Sequence, residues 1–404
     1  MRLVPLASLT LVIPSLVLGC NDIGDPTPPG INRPGLERPS ADLVRAAGKP
    51  LKGLTGAQRN LFERGKLVFD RAFEETAGLG PLFNDVSCVA CHGNPAAGGN
   101  GEQTEVQAAS FSIAGTCDHL TALGGPVIQK HVTPALFAAL GIQSEPFPAG
   151  APAAVRTTPD LFGFGLLDAV PDDVILALAD PNDENGDGIS GRANLTTDGR
   201  VGRFGRKAET PTLREFNDKA FLDEMGITTP AFPVEGTVGG ISLPAGVDAV
   251  ADPEIDGDAA AAVDAFVRFL APHAPLRLTK EAKTGQRLFT ESGCASCHVP
   301  VLPTGDNPIP ALRNKSVAAY TDLLLHDMGP GLGDICLGGA SPTEFRTEPL
   351  MGVRFQNFFL HDGRASTVTD AIEAHGGEAL VARDRFRGLS SAERAAIVAF
   401  LRSL

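Results

Sequence analysis

Cys88-Val89-Ala90-Cys91-His92 and Cys294-Ala295-Ser296-Cys297-His298 decide how this chain is read. Both fit C-x-x-C-H, the pattern that attaches haem c. The spacing follows from the chemistry. Two thiols add to the two vinyl groups of one porphyrin, and the next residue is a histidine whose imidazole reaches the iron from the proximal side. A thioredoxin-like thiol pair needs no following histidine. A zinc site built from two Cys-x-x-Cys pairs would expose free thiols to oxidation in an exported protein. A disulfide within each pair would be strained and labile. Two complete motifs therefore imply two covalently attached haems, held by Cys88, Cys91 and His92 and by Cys294, Cys297 and His298.

Outward from the motifs, the chain repeats itself. Gln58 to Phe69 precedes the first motif and Lys280 to Phe289 the second. Both place apolar residues at three- and four-residue steps around a central glycine, the pattern of an amphipathic helix. Arg156-Thr157-Thr158-Pro159 follows the first motif and Arg346-Thr347-Glu348-Pro349 the second. Helix, motif and R-T-x-P twice over predict two related units. A last helix over Ser391 to Leu404, apolar at Ala395, Ile397, Val398, Phe400 and Leu401, closes the second.

The stretch between the units carries Asp183-Glu184-Asn185-Gly186-Asp187-Gly188-Ile189. Oxygen side chains at alternate positions, a glycine for the turn and then an apolar residue match the first half of a calcium loop. Asp183, Asn185, Asp187 and the Ile189 carbonyl are the candidate ligands. The twelfth position is Asn194 rather than glutamate, so the bidentate carboxylate must come from elsewhere, with Asp180 nearby. The other reading is an acidic Asn-Gly turn without metal.

The N-terminus reads as an address. Arg2 is followed by an apolar run from Leu3 to Leu18 that ends in Val17-Leu18-Gly19-Cys20. The run is too short for a membrane span and suits a signal peptide. Cysteine directly after it resembles a lipoprotein lipobox, so Cys20 is the expected lipid attachment point and the chain an exported bacterial lipoprotein. The other reading is cleavage and release. Residues from Asn21 to about Ser40 are rich in Pro, Gly and Asp and read as a tether. Of the seven cysteines, Cys117 and Cys336 remain, either as a disulfide with each other or as two buried thiols.

At 404 residues, two or three domains are expected. With 48 acidic against 34 basic side chains the net charge is -14, which argues against nucleic acid as a partner. It suits a basic redox partner, or plain solubility. The expected fold is mainly α: two cytochrome c-like haem domains with a loop-rich insert between them. The boundaries are a signal peptide (1–19), the lipid attachment and tether (20–45), a first haem domain (46–150), an inter-haem region with the calcium loop (151–272) and a second haem domain (273–404).

With these residues placed, the chain resembles the di-haem oxidoreductase family, relatives of bacterial di-haem cytochrome c peroxidases. Roughly residues 55–404 are covered. Besides the haem motifs the resemblance rests on four phrases: Gly163 to Pro171, Asp187 to Arg192, Thr321 to Gly329, and Phe359-Leu360-His361-Asp362-Gly363-Arg364. It implies hydrogen peroxide as a substrate, a partner protein as electron donor or acceptor, two haems of different potential, and calcium between them. It also implies an open iron position at His92 and a closed, electron-transferring iron at His298. Where the peroxidases carry a methionine beyond the F-x-H-D-G phrase, this chain has His375, at the end of a short helix expected from a Thr367 cap to Gly376-Gly377. Met328 and His361 compete with His375 as the sixth ligand. Near the first haem, His119 and His131 are the nearby histidines, and Gln103, Glu105 and Gln107 offer polar groups beside a peroxide. One departure stands out. Relatives place a tryptophan between the haems, whereas this chain has no Trp and only Tyr320, leaving Tyr320, a phenylalanine or direct tunnelling as the route.

Overall fold

The apolar steps ahead of each haem motif fold as helices started by a threonine. Thr55 caps the first in a capping box with Gln58, and Thr279 accepts the Ala282 amide at the start of its counterpart. The computed structural model describes residues 45–404, so the expectations for the signal peptide and Cys20 lie outside the described residues. Eleven α-helices form there. Ahead of the second haem motif's leading helix come α1 (Gly56–Asp70), α2 (Cys88–Cys91), α3 (Pro134–Leu140), α4 (Phe164–Asp168), α5 (Asp172–Leu176), α6 (Leu213–Met225) and α7 (Gly257–Phe269). From that helix onward come α8 (Lys280–Glu291), α9 (Val368–Ala374), α10 (Leu380–Gly388) and α11 (Ser391–Leu401). Among the described residues no helix is long and apolar enough to cross a membrane. Five two-stranded sheets and one three-stranded sheet join the helices.

Two helix crossings organise the chain, and they are built alike. Helix α1 crosses α7, and α8 crosses α11. The glycine in the middle of each leading helix is the point of closest approach. A Cβ on Gly65 would lie 1.8 Å from the Ala262 carbonyl oxygen, and one on Gly285 would lie 1.8 Å from that of Ala396. Only glycine lets two backbones come so near. Four residues on, Phe69 packs on Phe266 at 4.9 Å and Phe289 packs on Phe400 at 5.5 Å. The glycine and phenylalanine of each leading helix thus meet an alanine and phenylalanine, also four apart, on the closing helix. A residue four positions on stands over the same helix face.

Helix α7 falls in the stretch 151–272 expected to lie between the haem regions, yet it closes the first of them against α1. All described residues belong to one compact unit. The larger core gathers around α1, α4, α6 and α7, with Phe62, Phe162, Phe204 and Phe266 almost fully buried. A second core joins α8 and α11 through Leu288, Phe386, Ile397 and Phe400. The three-stranded sheet places Thr104–Ala108 antiparallel to both Val127–Ile128 and Ala153–Thr157. With side chains alternating along a strand, Glu105 and Gln107 share one face.

Candidate haem sites

Each C-x-x-C-H sequence sits directly beneath its helix crossing. The Phe69 ring lies 6.2 Å from the His92 ring, and the Phe289 ring lies 6.4 Å from that of His298. A cavity of about 240 Å³ is lined by Cys88, Cys91 and His92, and one of about 750 Å³ by Cys294, Cys297 and His298. No disulfide joins the two cysteines of either motif. Burial pushes Cys88 and Cys91 up to about 12 and Cys294 up to about 11, with the charge of Asp85 adding to the effect on Cys91. Thiols held protonated in this way are poor nucleophiles for disulfide exchange. Their surroundings do not favour redox cycling.

The histidines carry the donor pattern a haem iron needs. Nδ1 of His92 lies 3.0 Å from both the Gly99 and Pro159 carbonyl oxygens, and Nδ1 of His298 lies 3.0 Å from that of Tyr320. A carbonyl only accepts, so Nδ1 carries the proton and Nε2 keeps a free lone pair. Burial lowers His92 and His298 to about 4, which keeps both imidazoles neutral. Neutral imidazole is the ligating form. Buried thiols, neutral imidazoles and largely apolar walls together fit two haems c.

His375 repeats this pattern on the second cavity. It is the C-cap of α9, whose first turn is capped by Thr367 through the Asp370 amide. Its Nδ1 lies 2.7 Å from the Ala371 carbonyl oxygen, and burial holds the ring below its ordinary pKa. His375, Met328 and His361 all line the cavity of His298. His361 is engaged elsewhere: its Nε2 is 3.2 Å from Asp334 and its ring stacks on Phe345 at 4.1 Å. Of the two imidazoles, His375 alone keeps Nε2 away from a carboxylate.

The first cavity is lined differently. Gln103, Glu105 and Gln107 all reach its wall, whereas His119 and His131 do not. His119 accepts the Gly338 amide, and His131 stands beside Phe83. Met225 also reaches the wall from α6 and is packed into the larger core. Sequence reading missed Glu224, which projects from the same helix into this cavity more than a hundred residues from the motif.

Between the cavities stands a polar wall. Cys91, Gln103, Thr157, Thr158, Arg206 and Arg346 line both. Glu348 pairs with Arg206 at 2.9 Å and with Arg346 at 2.8 Å, and Arg206 also donates to the Thr157 carbonyl at 2.9 Å. Both R-T-x-P phrases thus lie in the site. Tyr320 does not lie between the cavities. It is buried among Phe289 and Phe400, behind His298, and lines neither one.

Of the remaining expected sites, Asp187 and Ile189 reach the wall of the second cavity, whereas Cys117 and Cys336 line neither. Cys117 and Cys336 are joined as a disulfide over a small core of Ala109, Ala154, Ile335 and Leu337. In the Asp183–Ile189 loop the side chains turn onto nearby amides: Asp183 accepts from Gly188, Asn185 from Asp187, and Asp187 from Ile189. Asn194 is buried, bonded to the Lys207 carbonyl and the Gly339 amide. The phrases at Asp187–Arg192 and Thr321–Gly329 meet at Glu378. Its carboxylate accepts from Ser190 and lies 2.7 Å from His326, whose other nitrogen lies 2.9 Å from Asp322. Burial opposes a charge on His326, but the two carboxylates overcome it and raise its pKa well above the ordinary value.

Comparison with known proteins places these features in a family. The family described as "Di-haem oxidoreductase, putative peroxidase" matches residues 150–404. No curated protein matches the chain. Among solved structures, hydrazine synthase of Kuenenia stuttgartiensis is 15% identical, with 98% of this chain and 100% of that chain covered and a TM-score of 0.43. The di-haem peroxidase BthA of Burkholderia thailandensis is 16% identical over 85% of this chain and 86% of its own, with a TM-score of 0.41. A MauG-like protein associated with microbial copper homeostasis is 13% identical, covers 90% and 93%, and scores 0.39.

Proposed function

We propose, from the premise that this chain belongs to the di-haem oxidoreductase family, that it is an exported enzyme that reduces hydrogen peroxide with electrons from a partner protein. The observation that carries the proposal is the contrast between the two cavities. The second is lined by a further imidazole with a free Nε2, His375, besides His298. Among the described residues the first has no histidine on its wall but His92, and its carboxylates and amides are suited to holding a small oxidant and moving a proton. Once attached, haem supplies the one-electron chemistry that no side chain here provides. His92 and His298 would hold it through Nε2, Phe69 and Phe289 pack against their rings, and Arg206 and Arg346, both paired with Glu348, stand on the wall shared by the two cavities. On this reading the two crossed-helix pairs are two cytochrome c-like units, and the insert belongs within the first.

EPR of the oxidised and half-reduced protein tests the proposal. The expected result is one low-spin iron, at His298, and one high-spin iron, at His92, in at least one of the two states, together with peroxide turnover. Two low-spin irons in every state, without turnover, would make the protein an electron carrier. Turnover that needs a second protein as the oxidised substrate would make it a protein-modifying oxidase.

Export and anchoring belong to the same proposal and rest on the leader and Cys20. Labelled palmitate should enter the wild-type protein and not Cys20→Ala. Calcium is proposed at the Asp183–Ile189 loop, on Asp183, Asn185, Asp187 and the Ile189 carbonyl with Asp180 nearby, because oxygen side chains alternate there around a glycine turn. Equilibrium dialysis at millimolar calcium that finds none bound removes it.

A further inference from the structure

Arg156 opens the first R-T-x-P phrase and lies on the wall of the first cavity, its side chain only 3% exposed. The strand Ala153–Thr157 sets it directly opposite Glu105 of the neighbouring strand, so the two side chains leave the same face of the sheet. One end of the guanidinium is committed. Nη1 donates to the Val155 carbonyl at 3.1 Å and pairs with Asp334. The remaining edge is not: Nε and Nη2 are both buried and have no partner. A buried charged donor left unpaired has lost its hydration without replacement. Nε and Nη2 share one edge of the guanidinium plane, and their two N–H groups match the two oxygens of a carboxylate.

Other groups on this wall do not fill that edge. Glu209 accepts the Lys207 amide, Asn84 donates to Glu224, and Gln107 donates to Glu105. The other basic side chains are engaged. Lys130 donates to the Thr104 carbonyl, Lys219 pairs with Asp223, and Arg206 pairs with Glu348. Asp334 does not use up the charge of Arg156, since Lys207 stands 3.4 Å from it as a second cation. The second R-T-x-P phrase ends differently. Arg346 donates from Nε to the Gly205 carbonyl at 2.9 Å and from Nη2 to Glu348 at 2.8 Å. The edge that stays open on Arg156 is occupied on Arg346.

We propose that Arg156 is the carboxylate-binding residue of the first cavity: its Nε–Nη2 edge takes a propionate of the first haem, while Arg346 takes none from the second. The repeated phrase thus serves two tasks, anchoring the cofactor in one copy and bracing the shared wall in the other. This rests on haem attachment at Cys88–His92 and not on the peroxide reading.

Two measurements on the full haem-loaded chain test it. In a crystal structure of that protein, a propionate of the first haem is expected within about 3 Å of both Arg156 Nε and Nη2. Water or a free anion in the fork, with both propionates of the first haem elsewhere, overturns the site. A propionate of the second haem on Arg346 overturns the asymmetry. In solution, resonance Raman spectra report the propionate bending bands. Arg156→Lys keeps the charge but loses the fork, so one wild-type band should shift to the position of a freely hydrated carboxylate. Arg346→Lys should leave that band in place. A band unmoved in Arg156→Lys, or moved alike by both substitutions, overturns the assignment. The crystal structure needs no variant, so the site stays open to refutation if Arg156→Lys fails to fold. Haem found only at Cys294–His298 overturns the attachment beneath the site, and the site with it.

Discussion

Replacing His375 with alanine is expected to convert the second haem from low-spin to high-spin, and His375→Met to raise its potential by on the order of 0.1 V. The reasoning starts from the neutral ring at the end of α9. Its Nδ1 proton is committed to the Ala371 carbonyl at 2.7 Å, so Nε2 is the atom available to a metal. Arg383 donates to the His375 carbonyl at 3.0 Å and fixes the backbone from which the ring hangs. Two imidazoles make a stronger field and a lower potential than imidazole with thioether, because thioether favours ferrous iron. Axial ligands move haem potentials over a range of about 0.8 V, so a shift of this size is well within reach. Met328→Ala should change neither spin state nor potential. If the wild-type ferric spectrum shows the red charge-transfer band of Met ligation at the second haem, and Met328→Ala abolishes it, His375 is not the ligand.

Gly285→Val should destabilise the protein by about 3 kcal/mol or more, at the upper end of what overpacking costs. A Cβ at this position would meet backbone, the Ala396 carbonyl oxygen 1.8 Å away and the Ile397 nitrogen at 2.8 Å, so no rotamer change relieves it. The helices must separate, and with them Phe289 must leave Phe400 and lose its place behind His298. Haem content at the second site should fall along with the urea midpoint. Gly65→Val should do the same at the first site, against Ala262. Gly388→Ala is the control, since nothing lies within 4 Å of its Cβ position, and its urea midpoint should stay within about 0.5 kcal/mol of wild type. Equal midpoints for Gly285→Val and Gly388→Ala would show that the crossing is not held by close contact.

How much of this was legible in the sequence differs from one element to the next. The haem motifs were readable because their chemistry demands fixed residues at fixed spacing. The leading helices and α11 were readable from apolar period and caps, and the glycine repeated in both leading helices is now explained by the crossings. The pairing of helix α7 with α1 was not legible because α1 lies nearly two hundred residues earlier, and periodicity says which face is buried but not against what. A signal existed: Ala262 and Phe266 stand four apart, as do Ala396 and Phe400. Glu224 was invisible for the same reason, since a surface helix may carry a glutamate anywhere. Tyr320 was noticed because it was the only tyrosine, yet composition carries no position, and folding sets it behind His298.

The wall of Thr157, Arg206 and Arg346 has a consequence for damage as well as transfer. It contains no indole and no phenol, and the chain has no tryptophan to offer. Guanidinium and hydroxyl groups do not give up an electron under conditions that oxidise those rings. On the proposed function, an oxidising equivalent formed in either cavity would meet no indole or phenol in this wall on its way to the other. The partition would then be spared the radical wear that an aromatic relay would collect with each turnover.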